Sequence, residues 1–196
     1  MKLSNKILLA TGIIFLITFT VLMIRFKGIV GDLVEYRHGE SSEKYRKMVE
    51  SEIVEQSFSI QDFDKIDIDC SCEIKILKSD TDEIIARAPK ELINTAVLTI
   101  KKEGNTLEIE CPPISRELLK NKITIEVHTP SIQELDINEF NTVYLTDFEI
   151  DGLEIQIAGN SEIIADNNTI EDLELNCFES ADANFKNSQV TNLEVQ

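Results

Sequence analysis

The last third of the sequence repeats itself every twenty residues. Leu153, Leu173 and Leu193 occupy the same position in successive units, and apolar residues alternate with polar ones inside each unit. A fixed period of this length, combined with alternation, is typical of chains whose short strands stack on copies of themselves. The repeat therefore predicts an all-β stack of coils of about twenty residues, in which the strands of successive coils lie about 4.8 Å apart.

The same register places outward-facing side chains in rows. Glu154, Glu174 and Glu194 are predicted to form an acidic ladder, which is a candidate partner-binding surface. In water, carboxylates roughly 5–7 Å apart repel by less than about 1 kcal/mol, so the ladder needs no bound cation. A divalent cation is an alternative occupant, but the spacing does not resemble a calcium loop, and we predict no metal site.

The third unit reaches only Gln196. Leu193 and Val195 are predicted to leave an open strand edge, and such an edge is a template for pairing. We expect self-association, or capping by a partner, at this edge. A frayed or truncated end is the alternative.

Upstream of the repeats the sequence also predicts strands. Residues 66–76 alternate apolar and polar side chains, which predicts one long half-buried strand. The β-branched content of residues 92–100 favours a further strand, and residues 102–105 read as a hairpin turn. Residues 115–120 are predicted to form a short helix before a strand at 123–127.

The N-terminal region contains an uncharged apolar run at residues 7–24, with basic residues on both sides. Eighteen helical residues span roughly 27 Å, close to the hydrocarbon thickness of a bilayer. We therefore predict a transmembrane signal anchor, with a cleaved signal peptide as the alternative. The predicted organisation is a cytoplasmic tail (1–6), the anchor (7–24), a charged juxtamembrane segment (25–57) and an extracytoplasmic β domain (58–196) of a single-pass cell-membrane protein.

Several short motifs carry a resemblance to a known family. They lie at residues 63–68, 105–109, 125–135 and 153–161. Through them, residues 63–196 resemble the auto-transporter adhesin head-GIN domain family of the bacterial cell envelope. The resemblance implies a right-handed, parallel β-helix-like stack and an adhesin-like role, and it identifies no ligand. The chain departs from the family pattern at residues 139–141 and 178–180, which lack the glycine that the repeat has at Gly159.

The four cysteines, Cys70, Cys72, Cys111 and Cys177, all fall on the inward parity of their predicted strands. This parity favours four small, buried apolar side chains. A disulfide from Cys70 or Cys72 to Cys111 is an alternative, since an extracytoplasmic setting permits it. Metal binding is a further alternative, although the spacing matches no zinc pattern.

The charge and the motifs restrict the function. The formal net charge is −17, and residues 121–196 hold sixteen acidic residues against two lysines. Such a surface repels phosphate backbones, which excludes nucleic acid as a partner. Neither His38 nor His128 has a partner at a spacing that indicates a catalytic triad, and the sequence has no phosphate-binding glycine loop. We therefore predict no enzyme and no cofactor.

The predicted function is that of a membrane-anchored, adhesin-like envelope domain that binds a surface glycan or protein. A sensory or regulatory ectodomain that acts through a membrane partner is the alternative. A polysaccharide-active enzyme ranks last; it would need a carboxylate pair that only folding can bring together.

Overall fold

A computed structural model describes residues 43–111, 116–119, 121–139 and 141–196. The predicted tail and transmembrane anchor, residues 1–24, lie outside these ranges. Within the described ranges, no helix has both the length and the apolar character that crossing a bilayer requires.

The described chain forms three short helices and fourteen strands. The helices are α1 (residues 43–49), α2 (Lys90–Asn94) and α3 (Arg116–Leu119). The strands are β1 (Ile53–Phe58), β2 (Lys65–Asp69), β3 (Glu73–Lys78), β4 (Glu83–Pro89), β5 (Thr99–Glu103), β6 (Thr106–Glu110), β7 (Thr124–Thr129), β8 (Glu134–Ile137), β9 (Thr142–Thr146), β10 (Glu149–Ile157), β11 (Glu162–Asp166), β12 (Thr169–Cys177), β13 (Asp182–Lys186) and β14 (Gln189–Val195).

The strands form two sheets of seven. The first sheet has the order β1-β4-β7-β3-β9-β11-β13, and the second has the order β14-β12-β10-β8-β2-β6-β5. Alternate residues are buried in most strands of both sheets, as in β3 and β8. Because each sheet buries one face and exposes the other, the two buried faces enclose the core between them. Phe148, Ile68 and Ile109 are among its fully buried side chains.

The prediction of a parallel β-helix is wrong. Both sheets are mixed, because β4 runs antiparallel to β1 and β7, and β5 runs antiparallel to β6. The strand order also departs from the chain order, since β2 lies between β8 and β6. A tight turn at Gly104, whose φ is +64°, reverses the chain between β5 and β6 and makes this antiparallel pair. The repeat pattern of residues 132–196 gave no information about these upstream strands.

The twenty-residue register itself is confirmed. Leu153 lies beside Leu173, and Leu173 beside Leu193, in the parallel strands β10, β12 and β14. The intervening strands β9, β11 and β13 pair in the same register in the first sheet. Each repeat unit therefore contributes one strand to each sheet, and its inward side chains pack on those of the next unit.

Two upstream predictions need correction. The alternation of residues 66–76 belongs to two strands, β2 and β3, which lie in different sheets. Cys70 and Cys72 remain buried through the corner between them, so the burial pattern continues while the strand does not. Residues 92–100 do not form one strand: α2 buries Leu92, and only Thr99 and Ile100 belong to β5. The predicted hairpin turn at 102–105 and the helix within 115–120 are confirmed.

The corners between the sheets recur with the same period. Asp147, Asn167 and Asn187 all adopt positive φ at one corner, and Glu139, Gly159 and Glu179 do so at the other. Short polar side chains tolerate this left-handed region because they bond locally. At the first corner the Asn167 side-chain amide donates to Asp147 Oδ1 at 2.6 Å. Asn187 Nδ2 donates instead to Asp166 Oδ1, at 2.9 Å, so side-chain hydrogen bonds stabilise this corner in both coils.

Buried polar side chains also tie successive coils together. Asn168, which is 1% exposed, accepts a hydrogen bond from the Phe148 backbone N–H at 2.9 Å and donates to the Leu145 carbonyl at 2.9 Å. One coil later Ser188 replaces it and accepts from the Asn168 N–H at 3.1 Å. A buried amide that satisfies its partners in this way fixes the corner, because an unpaired backbone group there would be costly.

The prediction of four buried, unpaired cysteines holds only for Cys72, and the alternative of a disulfide to Cys111 is the one that the structure shows. Cys70 and Cys111 form a disulfide, with their Cα atoms 4.9 Å apart, that links the ends of the neighbouring strands β2 and β6. Cys72 is free and buried, and burial raises the pKa of its thiol. Cys177 is free and half-buried, because β12 has only the peripheral strand β14 beyond it.

Candidate functional site

An open groove of about 870 Å³ lies across the strands β10, β12 and β14 of the second sheet. Residues 131–133, which precede β8, line one side, and residues 149–154 of β10, 172–174 of β12 and 192–194 of β14 form the floor. Gly152, on β10, has no side chain, and no atom lies within 4 Å of where a Cβ would stand. The groove is therefore open at Gly152, which lies in register with Asp172 and, through it, with Asn192.

The lining of the groove is strongly acidic. Its carboxylates are Glu149, Asp151, Glu154, Asp172, Glu174 and Glu194, and none of the described residues that line it is a lysine or an arginine. Asn192 Nδ2 donates to Asp172 Oδ1 at 2.7 Å, which holds that carboxylate in the floor. Six acidic side chains around one concave surface focus a negative potential outward, and this potential attracts cations and repels anions.

The predicted acidic ladder lies along the floor of this groove. Glu154, Glu174 and Glu194 are adjacent across β10, β12 and β14, as the sequence predicts. The structure adds Glu134 of β8, which lies beside Glu154. Glu134 also contacts Lys65 of β2, and the hydrogen bond between them raises the pKa of Lys65. Among the described residues, the ladder is thus extended at its β8 end by Glu134, which is paired with Lys65.

Amide side chains support the ladder from the next row. Gln156, Asn176 and Gln196 each donate to the glutamate two residues earlier on the same strand, at 3.1, 3.3 and 3.3 Å. Residues two apart on a strand share a face, so each amide reaches its glutamate without bending the chain. These bonds orient the carboxylates along the strand and leave oxygen lone pairs free to accept further hydrogen bonds.

A second cluster of acids lies next to the ladder on the same face. Asp67 and Asp136 are neighbours across β2 and β8. Burial raises the pKa of both carboxyls, and the nearby negative charges raise it further: Asp136 and Asp69 act on Asp67, and Glu134 acts on Asp136. Asp67 Oδ1 has no hydrogen-bond partner among the described residues. This pair therefore destabilises its own ionised state.

Some of these residues were accessible to sequence reasoning and some were not. Glu134 precedes Glu154 by twenty residues, so the repeat register alone places it in the ladder. Lys65 and Asp67 carry no such signal, because β2 enters the sheet between β8 and β6 through the topology. Asp151 and Asp172 also line the groove, which the sequence does not reveal. The predicted open edge, Leu193 and Val195, lies at the far side of the groove, and both side chains are exposed.

The acidic face does not form a metal centre in the conformation observed. Across the described ranges, no three His, Cys, Asp or Glu side chains are arranged to hold a metal ion. The carboxylates follow the strand spacing in a row, whereas a hard cation needs oxygen ligands converging within about 2.3–2.6 Å. The arrangement is suited to an extended ligand with several positive charges.

Comparison with known proteins agrees with the resemblance drawn from the sequence. The family model described as "Putative auto-transporter adhesin, head GIN domain" matches residues 62–196. The resemblance to the head-GIN domain family is therefore confirmed. The family suggests an extracytoplasmic location. A comparison with curated proteins gives no match.

Two solved structures show that the fold is shared. One, titled a putative lipid binding protein, is from Parabacteroides distasonis; it has a TM-score of 0.60 and 19% identity, over 74% of this chain and 63% of the other. The second, titled a putative adhesin, is from Bacteroides fragilis; it has a TM-score of 0.59 and 15% identity, over 74% of this chain and 73% of the other. The present chain therefore spans less than two thirds of the length of the first.

Proposed function

The chain belongs to the auto-transporter adhesin head-GIN domain family, and on that premise we propose that it is a non-enzymatic, extracytoplasmic binding domain. Its ligand is a positively charged segment of a surface protein, which lies in the acidic groove across β10, β12 and β14. The observation that carries this proposal is the row Glu154–Glu174–Glu194 along an open groove whose described lining residues include no lysine or arginine. The disulfide between Cys70 and Cys111 supports the location, since such bonds persist in oxidising compartments.

Charge and geometry together select the ligand class. The ladder carboxylates lie on neighbouring strands about 4.8 Å apart, so three of them cover roughly 10 Å of the groove. Lysine or arginine side chains reach such a row as charge-assisted hydrogen-bond donors, which are about twice as strong as neutral ones. An anionic polymer would meet six carboxylates instead, and like charges at these distances disfavour association.

Lipid binding is a second candidate, because one structural neighbour carries that description. Apolar residues are present at the groove, among them Ile132, Leu153 and Leu173. These three side chains are at most 3% exposed, however, so they are already covered by the protein. Ile150 is half-buried, and Leu193, at 59% exposure, offers the largest apolar surface among the described lining residues. The groove surface therefore favours a cationic ligand over an acyl chain.

Titration of the full chain with hexalysine, followed by calorimetry, tests the proposal. The variant Glu154→Gln/Glu174→Gln/Glu194→Gln is expected to bind at least tenfold more weakly than the wild type. A matched control is Glu52→Gln/Glu83→Gln/Glu91→Gln, which removes the same charge from exposed positions away from the groove. We expect the control to bind within about twofold of the wild type, and added salt to weaken wild-type binding.

Two outcomes would contradict the proposal. Equal losses in the groove variant and the control would mean that only the net charge attracts the peptide. Tight binding of an uncharged glycan or a fatty acid, together with no binding of hexalysine, would assign the groove a different ligand. A cationic glucosamine oligomer and its neutral N-acetylated form, titrated alongside, distinguish a glycan ligand from a peptide one.

A further inference from the structure

Both sheets end at the same side of the molecule, in β13 and β14. Among the described strands, each of these has a neighbour on one side only. Burial falls abruptly there, since Leu153 and Leu173 are 3% exposed while Leu193, in the same row, is 59% exposed. Val195 is exposed to the same degree. Among the described residues, no further strand covers the inward apolar row at Leu193 and Val195.

The opposite edge of the second sheet is different in character. The other terminal strand of the second sheet, β5, exposes Lys101, Lys102 and Glu103 in succession. Consecutive charges on an edge strand are a common device against unwanted pairing. The sequence of β13 carries only Asp182 and Lys186 as charges, one at each end of the strand. Its middle residues are uncharged, so β13 has no such protection.

Hydrogen bonds show which backbone groups of β13 face the open side. The Asp182 N–H donates to the Ser161 carbonyl at 3.0 Å, and the Lys186 carbonyl accepts from the Asn167 N–H at 3.2 Å. Both residues therefore direct their backbone groups towards β11. Because successive residues of a strand alternate in direction, Ala183 and Phe185 direct their N–H and C=O groups to the open side.

The sequence of β13 is complementary to itself when read in the opposite direction. If two copies pair antiparallel about a two-fold axis at Asn184, Asp182 lies opposite Lys186 of the second copy. The small Ala183 then lies opposite the large Phe185, and these are the residues whose backbone groups face outward. Asn184 meets its own copy at a non-hydrogen-bonded position, where Cα atoms are about 4.5 Å apart. Charge, side-chain size and backbone direction all agree in this one register.

We propose that a second copy of this chain docks on the β13–β14 end through antiparallel pairing of β13 about Asn184. The same rotation brings the β14 edges together. Gln196 bonds β12 through both its N–H, to Leu175 at 3.1 Å, and its C=O. The backbone groups of Leu193 and Val195 therefore face the open side, as the alternation requires. A two-fold contact of this kind is closed, so the assembly stops at a dimer and does not extend into a fibre. This inference does not depend on the ligand of the groove.

Charge reversal tests the register directly. Sedimentation of the full chain measures the dimer dissociation constant. Asp182→Lys and Lys186→Asp should each raise this constant roughly three- to tenfold. The reason is that each variant places like charges opposite one another in two symmetric pairs. The double variant Asp182→Lys/Lys186→Asp restores opposite charges and should return the dissociation constant to within about twofold of the wild type. Thermal unfolding of each variant checks that the fold is kept. A monomeric wild type, or a double variant no better than the singles, would overturn the proposal.

Cross-linking provides a second test that does not depend on charge. In a Cys177→Ser background, Asn184→Cys should form an intermolecular disulfide on mild oxidation, since the expected Cα separation is within disulfide range. Glu55→Cys, on the exposed edge strand β1, is the matched control and should remain monomeric. Equal cross-linking at both positions, or none at position 184, would contradict pairing through β13.

Discussion

A Cβ atom built on Gly159 would lie 2.2 Å from the carbonyl oxygen of Glu139, in the coil before it. Gly159 also has a φ of +74°, in the left-handed region that residues with a Cβ disfavour. The same corner accepts glutamate at positions 139 and 179, although both have positive φ. Glutamate is therefore tolerated at positions 139 and 179, where the family pattern has glycine. At position 159 the close approach of the two backbones requires glycine.

Gly159→Ala should lower the free energy of unfolding by about 2–4 kcal/mol, through left-handed strain and displacement of the Glu139 backbone. Gly152→Ala is the matched control, since its Cβ would meet no atom within 4 Å. The control should change stability by no more than about 1 kcal/mol. Chemical denaturation of both variants measures this; equal effects would contradict the stacked corner.

The disulfide predicts a definite count of thiols. The denatured, unreduced chain should show two free thiols, from Cys72 and Cys177, and four after reduction. In the folded state Cys72 should label far more slowly than Cys177, because it is buried and burial raises the pKa of its thiol, which disfavours the reactive thiolate. Mass spectrometry after maleimide labelling gives the counts. Four thiols in the unreduced chain would rule out the Cys70–Cys111 bond.

Removal of that disulfide should cost about 2–4 kcal/mol, because it closes a loop of 41 residues in the unfolded chain. The comparison is between Cys70→Ser/Cys111→Ser and the control Cys177→Ser, which alters a free, half-buried thiol. Urea unfolding of both variants measures the difference. A control that loses as much stability as the double variant would mean that the cross-link contributes little.

The Asp67 carboxyl should make stability depend on pH. Its folded pKa is raised above the ordinary value of 3.8 by burial and by Asp136, so the folded chain binds more protons than the unfolded chain just above that pH. The free energy of unfolding contributed by this group therefore falls as pH rises through the raised pKa. Asp67→Asn should stabilise the protein at pH 7 by up to about 1 kcal/mol, since the group is only half-buried. Unfolding at a series of pH values should show the gain disappearing in acid; a gain that is constant with pH would contradict this cause.

The repeated part of the fold could be predicted from sequence because its pattern is local. Residues twenty apart pair in parallel strands, and this alone places Leu153 beside Leu173 and Glu154 beside Glu174. The alternation at residues 66–76 was misleading for a physical reason. Burial continues through the corner at Cys70 and Cys72, so the period does not report where a strand leaves one sheet for the other.

The remaining features depend on contacts between distant parts of the chain. The pairing of β2 with β8 brings Lys65 to Glu134 and Asp67 to Asp136, across about seventy residues of sequence. No periodic signal connects these positions, and the choice of Cys70 over Cys72 as the partner of Cys111 likewise follows from the direction of the corner. The sequence therefore predicts the acidic ladder of the groove, but it does not predict the other residues that line the groove.

The most direct test of the central claim is to map hexalysine onto the chain by backbone NMR chemical shifts. We predict that titration shifts the amides of Glu154, Glu174 and Glu194, together with Gly152 in the floor of the groove, and that these shifts are lost in the Glu154→Gln/Glu174→Gln/Glu194→Gln variant. Shifts spread over all acidic surfaces, or confined to the first sheet, would contradict a binding groove on β10, β12 and β14.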